Sequence, residues 1–434
     1  MTNIQFQDLS LTKEILRTLD ESGYKTPTPI QQQAIPHLMD GHDLLGLAQT
    51  GTGKTAAFSL PILNRLAKDG DRPQAKSTQV LILAPTRELA IQIGENIGVY
   101  SKYLNLSYTT VFGGVKAGPQ IKTLARGVDI LIATPGRLLD LMNQGAVRIN
   151  AIKVLVLDEA DRMLDMGFIN DMKKIIAKAP ANRQTLLFSA TMAPEVERLA
   201  NQFLTNPKRA EVRPEVITVD RIKQSVHFVT KNLKRNKLTE LLAERNLKKV
   251  IVFTRTKHGA NRVVKHLEQH NLSSSAIHGN KSQSARQKAL SEFHGGKIRV
   301  LVATDIAARG IDVSDVSHVI NFDLPNEPES YVHRIGRTAR AGNSGIAISF
   351  CDEEEGAYLR DIEKLIKRKI DIVGDRPAYA DAPKPKGRSG NRGGGRPPRQ
   401  NNRRANGDNS NKPSGGQQRR NRDRSGGRSG QKAA

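Results

Sequence analysis

The chain has 434 residues, 68 Lys+Arg against 43 Asp+Glu, a formal net charge of +25 and a single cysteine, Cys351. That length predicts two to four domains at roughly 100–200 residues each, and one cysteine excludes an intramolecular disulfide and argues against a Cys-based metal site. No apolar run approaches the ~18–20 residues of a membrane span, and MTNIQFQDLS lacks the basic start and apolar core of a signal peptide, so a cytoplasmic protein with a polyanionic partner is expected.

The first predicted strand, Asp43–Ala48, runs into AQTGTGKT, Ala48–Thr55. This reads as a phosphate loop with Ala48 where the first glycine usually stands. Gly51 and Gly53 let backbone N–H groups converge on phosphates, Lys54 reaches the terminal ones, and Thr55 can ligate Mg²⁺. A plain glycine turn would explain the glycines but not Lys-Thr at a helix start, so a nucleoside triphosphate is the expected ligand. Strands follow at Val80–Ala84, Ile130–Ala133, Val154–Leu157 and Thr185–Phe188. They are short, apolar on both faces and separated by helix-length segments, as buried parallel strands in βαβ units are. Val154–Leu157 delivers Asp158-Glu159-Ala160-Asp161. A carboxylate at a buried strand's end beside a phosphate loop is placed to hold Mg²⁺ through water, and its neighbour to orient an attacking water. Alone, Asp-Glu is an ordinary helix cap; with the loop it becomes a site.

The polar stretch NPKRAEVRPEVITV, 206–219, has two prolines and no periodicity and marks a break. A second series of strands follows at Val250–Phe253, Val300–Ala303 and His318–Phe322. Two series imply an α/β protein with two tandem doubly wound parallel-sheet domains. The predicted division is 1–208, a linker at 209–218, 219–374, and a tail at 375–434. Residues 381–434 hold 15 Lys+Arg, 3 Asp and 11 Gly, and Ala is their only hydrophobic residue type. Such a segment cannot bury enough apolar surface to offset its chain entropy and is expected to be disordered. It reads as an RNA tether through counterion release, with a solubilising tail as the alternative.

The ordered blocks of this chain resemble those of the DEAD-box ATP-dependent RNA helicases, a family of two RecA-like domains, over about residues 4–350. They are GYKTPTPIQ (Gly23–Gln31) with Phe6 upstream, AQTGTGKT, PTRELA (Pro85–Ala90), Gly113-Gly114, TPGR (Thr134–Arg137), DEAD and SAT (Ser189–Thr191). VFTRT (Val252–Thr256), ATDIAARGID (Ala303–Asp312) and HRIGRTAR (His333–Arg340) complete the set. Ala339 and the basic, glycine-rich tail look most like the bacterial RhlE-type branch.

The resemblance implies roles residue by residue. Gln31 would read the adenine edge, which its amide suits as donor and acceptor, within a glutamine block at 4–32. Tyr24 would stack on the base, with Phe6 read as a buttress. Ala48, Gln49, Thr50, Gly51, Thr52, Gly53, Lys54 and Thr55 would cradle the phosphates, and Asp312 would bind the ribose. Lys54, Asp158, Glu159, Arg337 and Arg340 would be catalytic, the two arginines reaching across the cleft to charge developing on the γ-phosphoryl group. Asp161, Ser189, Thr191 and His333 would couple phosphate state to lobe closure, although each reads singly as an ordinary cap or hydrogen bond. Arg87, Gly113, Gly114, Thr134, Gly136 and Arg137 would line an RNA track on the first lobe, and Arg255, Gln283, Arg286 and Thr304 on the second. Some relatives place an aromatic after the last arginine of HRIGRTAR; here it is Ala341, which leaves the other adenine face less covered.

The expected activity is RNA-dependent ATP hydrolysis. Two lobes, mobile when unliganded, close on ATP and single-stranded RNA and part short duplexes or remodel RNA–protein complexes locally. Ribosome assembly or RNA decay is the expected setting, as a monomer away from membranes. Two rivals are an RNA clamp with a vestigial ATPase, against which intact Lys54, Glu159, Arg337 and Arg340 count, and a DNA-directed motor, against which the glutamine block and DEAD spelling count.

Overall fold

The structure, a computed structural model, describes residues 4–49, 51–212, 222–244, 247–305, 316–339, 345–375 and 377. Its strands form two sheets of seven, with every pairing parallel. The first lobe holds β1 (Leu44–Leu47), β2 (Thr78–Leu83), β3 (Tyr108–Val111), β4 (Val128–Ala133), β5 (Val154–Leu157), β6 (Gln184–Ser189) and β7 (Lys208–Glu211), in the order β3-β4-β2-β5-β6-β1-β7. The second holds β8 (Ile222–Phe228), β9 (Val250–Phe253), β10 (Ser274–Ile277), β11 (Val300–Ala303), β12 (His318–Asn321), β13 (Gly345–Cys351) and β14 (Asp371–Val373), in the order β10-β11-β9-β12-β13-β8-β14. Adding seven to each number of the first sheet gives the second, so one topology is used twice.

The central strands β1, β2, β4, β5, β6, β9, β11 and β12 are buried along their whole length, which is why apolar runs revealed all eight. Helices cover both faces of the first sheet and divide its core in two: Phe58, Ile82 and Val156 lie on one side, Leu81, Leu155 and Leu187 on the other. The sequence reading omits β3, β7, β8, β10, β13 and β14. Four of these are edge or near-edge strands with polar faces: β7 is KRAE, β10 is SSAI, and all of β14 is exposed. The linker drawn at 209–218 is corrected in part, because Arg209–Glu211 belong to β7 and pair with Leu45–Leu47 of β1. Val212 continues that pairing, its N–H donating to Leu47 O at 2.9 Å, while residues 213–218 of that linker and the tail from 378 lie outside the described residues.

Strand order decides which motifs meet. β5, β6 and β1 are neighbours, so the DEAD, SAT and phosphate-loop blocks emerge side by side at their carboxyl ends. β3, β4 and β2 are the other neighbours, and they gather Gly113-Gly114, TPGR and PTRELA. The first sheet thus has two working halves, as ligand sites outside carboxyl strand ends require. In the second sheet β9 and β11 carry Arg255 and Thr304 on the half equivalent to β2 and β4. Thr86 after β2 and Thr256 after β9 cap the next helices in the same way, accepting from Leu89 N at 3.3 Å and Gly259 N at 3.0 Å.

Candidate active site and nucleic-acid interface

The phosphate loop opens the helix Lys54–Asp69. Gly53 has φ +93°, and a Cβ there would lie 2.4 Å from the Gln31 amide nitrogen, so both the backbone and the neighbouring block require glycine. Lys54, 6% exposed, donates to the Ala48 carbonyl at 2.9 Å, and Thr52 Oγ1 donates to Gln49 O at 2.8 Å. Gln31 is buried; its Oε1 accepts from Thr28 N at 2.9 Å and its Nε2 donates to Gly53 O at 3.1 Å. The glutamine block is therefore tied to the loop directly. Tyr24 is 39% exposed beside it, and Phe6 is buried edge-on to Tyr24 at 6.5 Å, the place of a buttress. Thr50 and Asp312 lie outside the described residues.

Asp158 and Glu159 are each 2% exposed at the end of β5. Glu159 has φ +53°, a left-handed conformation that a non-glycine residue adopts at a cost, and such strain gathers at working sites. Burial pushes the Asp158 carboxyl up to about 7 against the pull of Lys54, with the charge of Glu159 adding to the rise. Glu159 goes the other way: burial opposes its charge, but Arg162, Lys54 and Arg337 outweigh burial and keep it ionised. Two adjacent carboxyl groups thus differ in proton affinity, because Arg162 and Arg337 favour the charge of Glu159 while burial opposes that of Asp158. Arg162, whose NH1 pairs with Glu159, is a residue the motif reading missed. Asp161 Oδ2 accepts from Ala190 N at 3.1 Å, Thr191 N at 3.2 Å and Thr191 Oγ1 at 3.3 Å, and Ser189 Oγ donates to Thr191 O at 2.8 Å. DEAD and SAT are one hydrogen-bonded unit.

A cavity of about 490 Å³ lies between the lobes. Gln49, Glu159, Asp161 and Thr191 line it from the first, and His333, Gly336 and Arg337 from the second. Arg337 is 6% exposed there, and its charge acts on Glu159. Arg340, the other arginine expected here, lies outside the described residues. Thr55 and Asp158 offer oxygen donors only. Among the described residues no group of three or more His, Cys, Asp or Glu could hold a metal, so a cation here would depend on water and phosphate oxygens. That donor set suits Mg²⁺.

On the other half of the first sheet, the Arg87 guanidinium occupies the space over Gly114, where a Cβ would come within 2.0 Å of it. Gly114 therefore makes room for Arg87. Arg137 donates to Gln120 Oε1 at 3.1 Å and Val115 O at 3.0 Å, Thr134 is buried as the residue before the helix Pro135–Asn143, and Gly136 is exposed on its first turn. Glu88, 4% exposed, joins the lobes: Gln283 Nε2 donates to it at 3.0 Å and Arg286 NH2 pairs with it at 3.0 Å. Two residues expected on the RNA track thus also clasp the first lobe beside Arg87.

Thr304 follows β11 and is half-buried. Arg255 is held by its own lobe: NH2 donates to Glu355 Oε1 at 2.5 Å and Leu324 O at 3.1 Å. Glu355 also accepts from buried Lys234 at 2.6 Å, and Arg334 forks onto Asp305 at 2.6 and 2.7 Å. Lys234 and Glu355 carry no motif signal of their own, and although Asp305 and Arg334 lie in two of the quoted blocks, their pairing appears only through folding.

A sheet-wound phosphate loop facing carboxylates, with arginine supplied by a second lobe of the same topology, defines a two-lobed NTP-driven motor. The DEAD/DEAH box helicase model matches residues 28–199, and the helicase conserved C-terminal domain model matches 233–342. The DEAD-box ATP-dependent RNA helicase CshA of Bacillus subtilis is 43% identical over 368 residues, 85% of this chain and 74% of that protein. The chain belongs to the DEAD-box ATP-dependent RNA helicases. Saccharomyces cerevisiae Dbp5 bound to RNA and ADP BeF3 superposes with a TM-score of 0.75 at 32% identity, covering 85% of this chain and 95% of that one. A variant of Dbp5 bound to Nup159, a Gle1 variant, IP6 and ADP gives 0.59 at the same identity, covering 84% and 95%. No helix among the described residues is long and apolar enough to cross a membrane.

Proposed function

We propose that this helicase hydrolyses ATP with Mg²⁺ when single-stranded RNA closes its lobes, and that closure parts short RNA duplexes or remodels RNA–protein complexes locally. The observation that carries this is Arg337, buried in the second lobe yet acting electrostatically on Glu159 of the first across a shared cavity. The higher likeness to the RNA- and ADP BeF3-bound form of Dbp5 than to its Nup159 and Gle1 complex supports a closed arrangement.

Lys54 and the loop backbone hold the phosphates, while Glu159, kept ionised, orients the attacking water. Arg337 and Arg340 meet charge developing on the γ-phosphoryl group. Mg²⁺ held near Thr55 and Asp158 would neutralise phosphate charge. The Asp161–Thr191 unit reports phosphate state to the lobe interface. Arg87, Gly113, Gly114, Thr134, Gly136, Arg137, Arg255, Gln283, Arg286 and Thr304 form the RNA track, read by backbone and without sequence preference. Because ATP and RNA favour the same closed state, each tightens the other.

In this reading the protein acts as a cytoplasmic monomer in ribosome assembly or RNA decay, with its basic tail as a further tether. The RhlE-type assignment rests on Ala339 and that tail, whereas the relative at 43% identity is a CshA protein. Unwinding rate against duplex length is the test: a steep fall with length is expected, and a rate independent of length over many turns contradicts local unwinding.

A further inference from the structure

We infer that Tyr100 is a positioning residue for the nucleobase, holding Tyr24 through a hydroxyl–hydroxyl hydrogen bond and an edge contact. The inference rests on the reading of Tyr24 as the adenine-stacking ring. The Tyr24 ring stands between two nearly perpendicular rings, Phe6 at 6.5 Å and 77° and Tyr100 at 6.1 Å and 81°. Its hydroxyl lies 3.3 Å from that of Tyr100. Both flanking residues are 3% exposed and Tyr24 itself is 39% exposed, so the bracket fixes the ring without covering it.

A tyrosine is unusual to bury at this depth unless its hydroxyl has a partner, and here Tyr24 is that partner. Phe6 can orient Tyr24 by its ring alone; Tyr100 adds a polar tether that fixes the far end. Orientation counts for more here because the position that carries a second aromatic in some relatives is Ala341, so stacking depends on one ring. Tyr100 also ends the helix Arg87–Tyr100, which starts at the residues beside the Glu88 clasp. The base holder is thereby attached to a rigid rod about 20 Å long.

The test is steady-state ATPase of the full chain at saturating single-stranded RNA. The variants are Tyr100→Phe, Tyr24→Phe, the double variant and Tyr24→Ala, with inorganic tripolyphosphate as a competitor that lacks a base. Losing one neutral hydrogen bond predicts a KM for ATP about three- to tenfold higher in Tyr100→Phe, with kcat and tripolyphosphate inhibition unchanged. The double variant should be no worse than either single one, because both hydroxyls are then gone. An unchanged KM in Tyr100→Phe with a raised KM in Tyr24→Ala would overturn the role of Tyr100. A matching loss of tripolyphosphate inhibition would overturn it as well, marking a general structural defect. An unchanged KM in Tyr24→Ala would overturn the reading of Tyr24 itself.

Discussion

The two lobes repeat one strand order, yet equivalent connections bring different groups to the shared cavity. Between β5 and β6 the chain places Asp158, Glu159 and Asp161; between β12 and β13 it places His333, Arg334 and Arg337. The lobes also settle buried charge differently. In the first, burial and neighbouring carboxylates leave Asp158 lifted to about 7. In the second, Lys234 meets Glu355 at 2.6 Å and Asp352 at 3.0 Å, and Arg334 forks onto Asp305. One lobe keeps charge in tension for a ligand, and the other cancels much of its own. The difference explains why a shared fold can divide the work: the first lobe binds and the second completes.

Breaking the first lobe's side should have the largest effect. Glu159→Gln is expected to lower RNA-stimulated kcat by about 10²–10⁴-fold while ATP binding persists; turnover assays alongside nucleotide-binding titrations check this. Breaking the second lobe's side should appear as instability. Lys234→Met leaves Asp352 buried without its cation and Glu355 with Arg255 alone, a loss of about 3–5 kcal/mol, read as a lower denaturation midpoint.

The seam between the lobes gives a smaller effect. Arg286→Ala leaves Glu88 with Gln283 alone and should raise the RNA concentration for half-maximal ATPase about tenfold. The smallest effect sharpens the contrast through pH. Asp158 titrates near 3.8 when unfolded and about 7 when folded, so between those values the folded state binds more proton. Stability of the nucleotide-free protein should therefore fall as pH rises through that window and level off above it. Asp158→Asn should flatten the trend in thermal melts from pH 5 to pH 8.

Much of this contrast could be read in the sequence, and the reason differs by region. Buried central strands such as Val154–Leu157 and Val250–Phe253 announce themselves as apolar runs. Edge strands such as Lys208–Glu211 look like linker because one neighbour and solvent suffice for them. Gly345–Cys351 escapes because glycine, alanine and serine dilute its apolar signal. The phosphate loop and DEAD were legible because each packs its chemistry into consecutive residues. The Glu88–Arg286 clasp, the Arg334–Asp305 fork and the Tyr24–Tyr100 pair were not, since a pairing between residues 29 to 198 positions apart exists only once folding joins them, even where one partner lies in a legible block.

The most direct test of a site shared between lobes is the ATPase rate of the full chain with and without single-stranded RNA, for the natural protein and for Arg337→Ala. If the second lobe completes the site, RNA should accelerate the natural protein strongly, while Arg337→Ala should bind ATP yet gain little from RNA, a loss of about 10³-fold or more in the stimulated rate. An RNA-stimulated rate in Arg337→Ala equal to that of the natural protein would contradict the account.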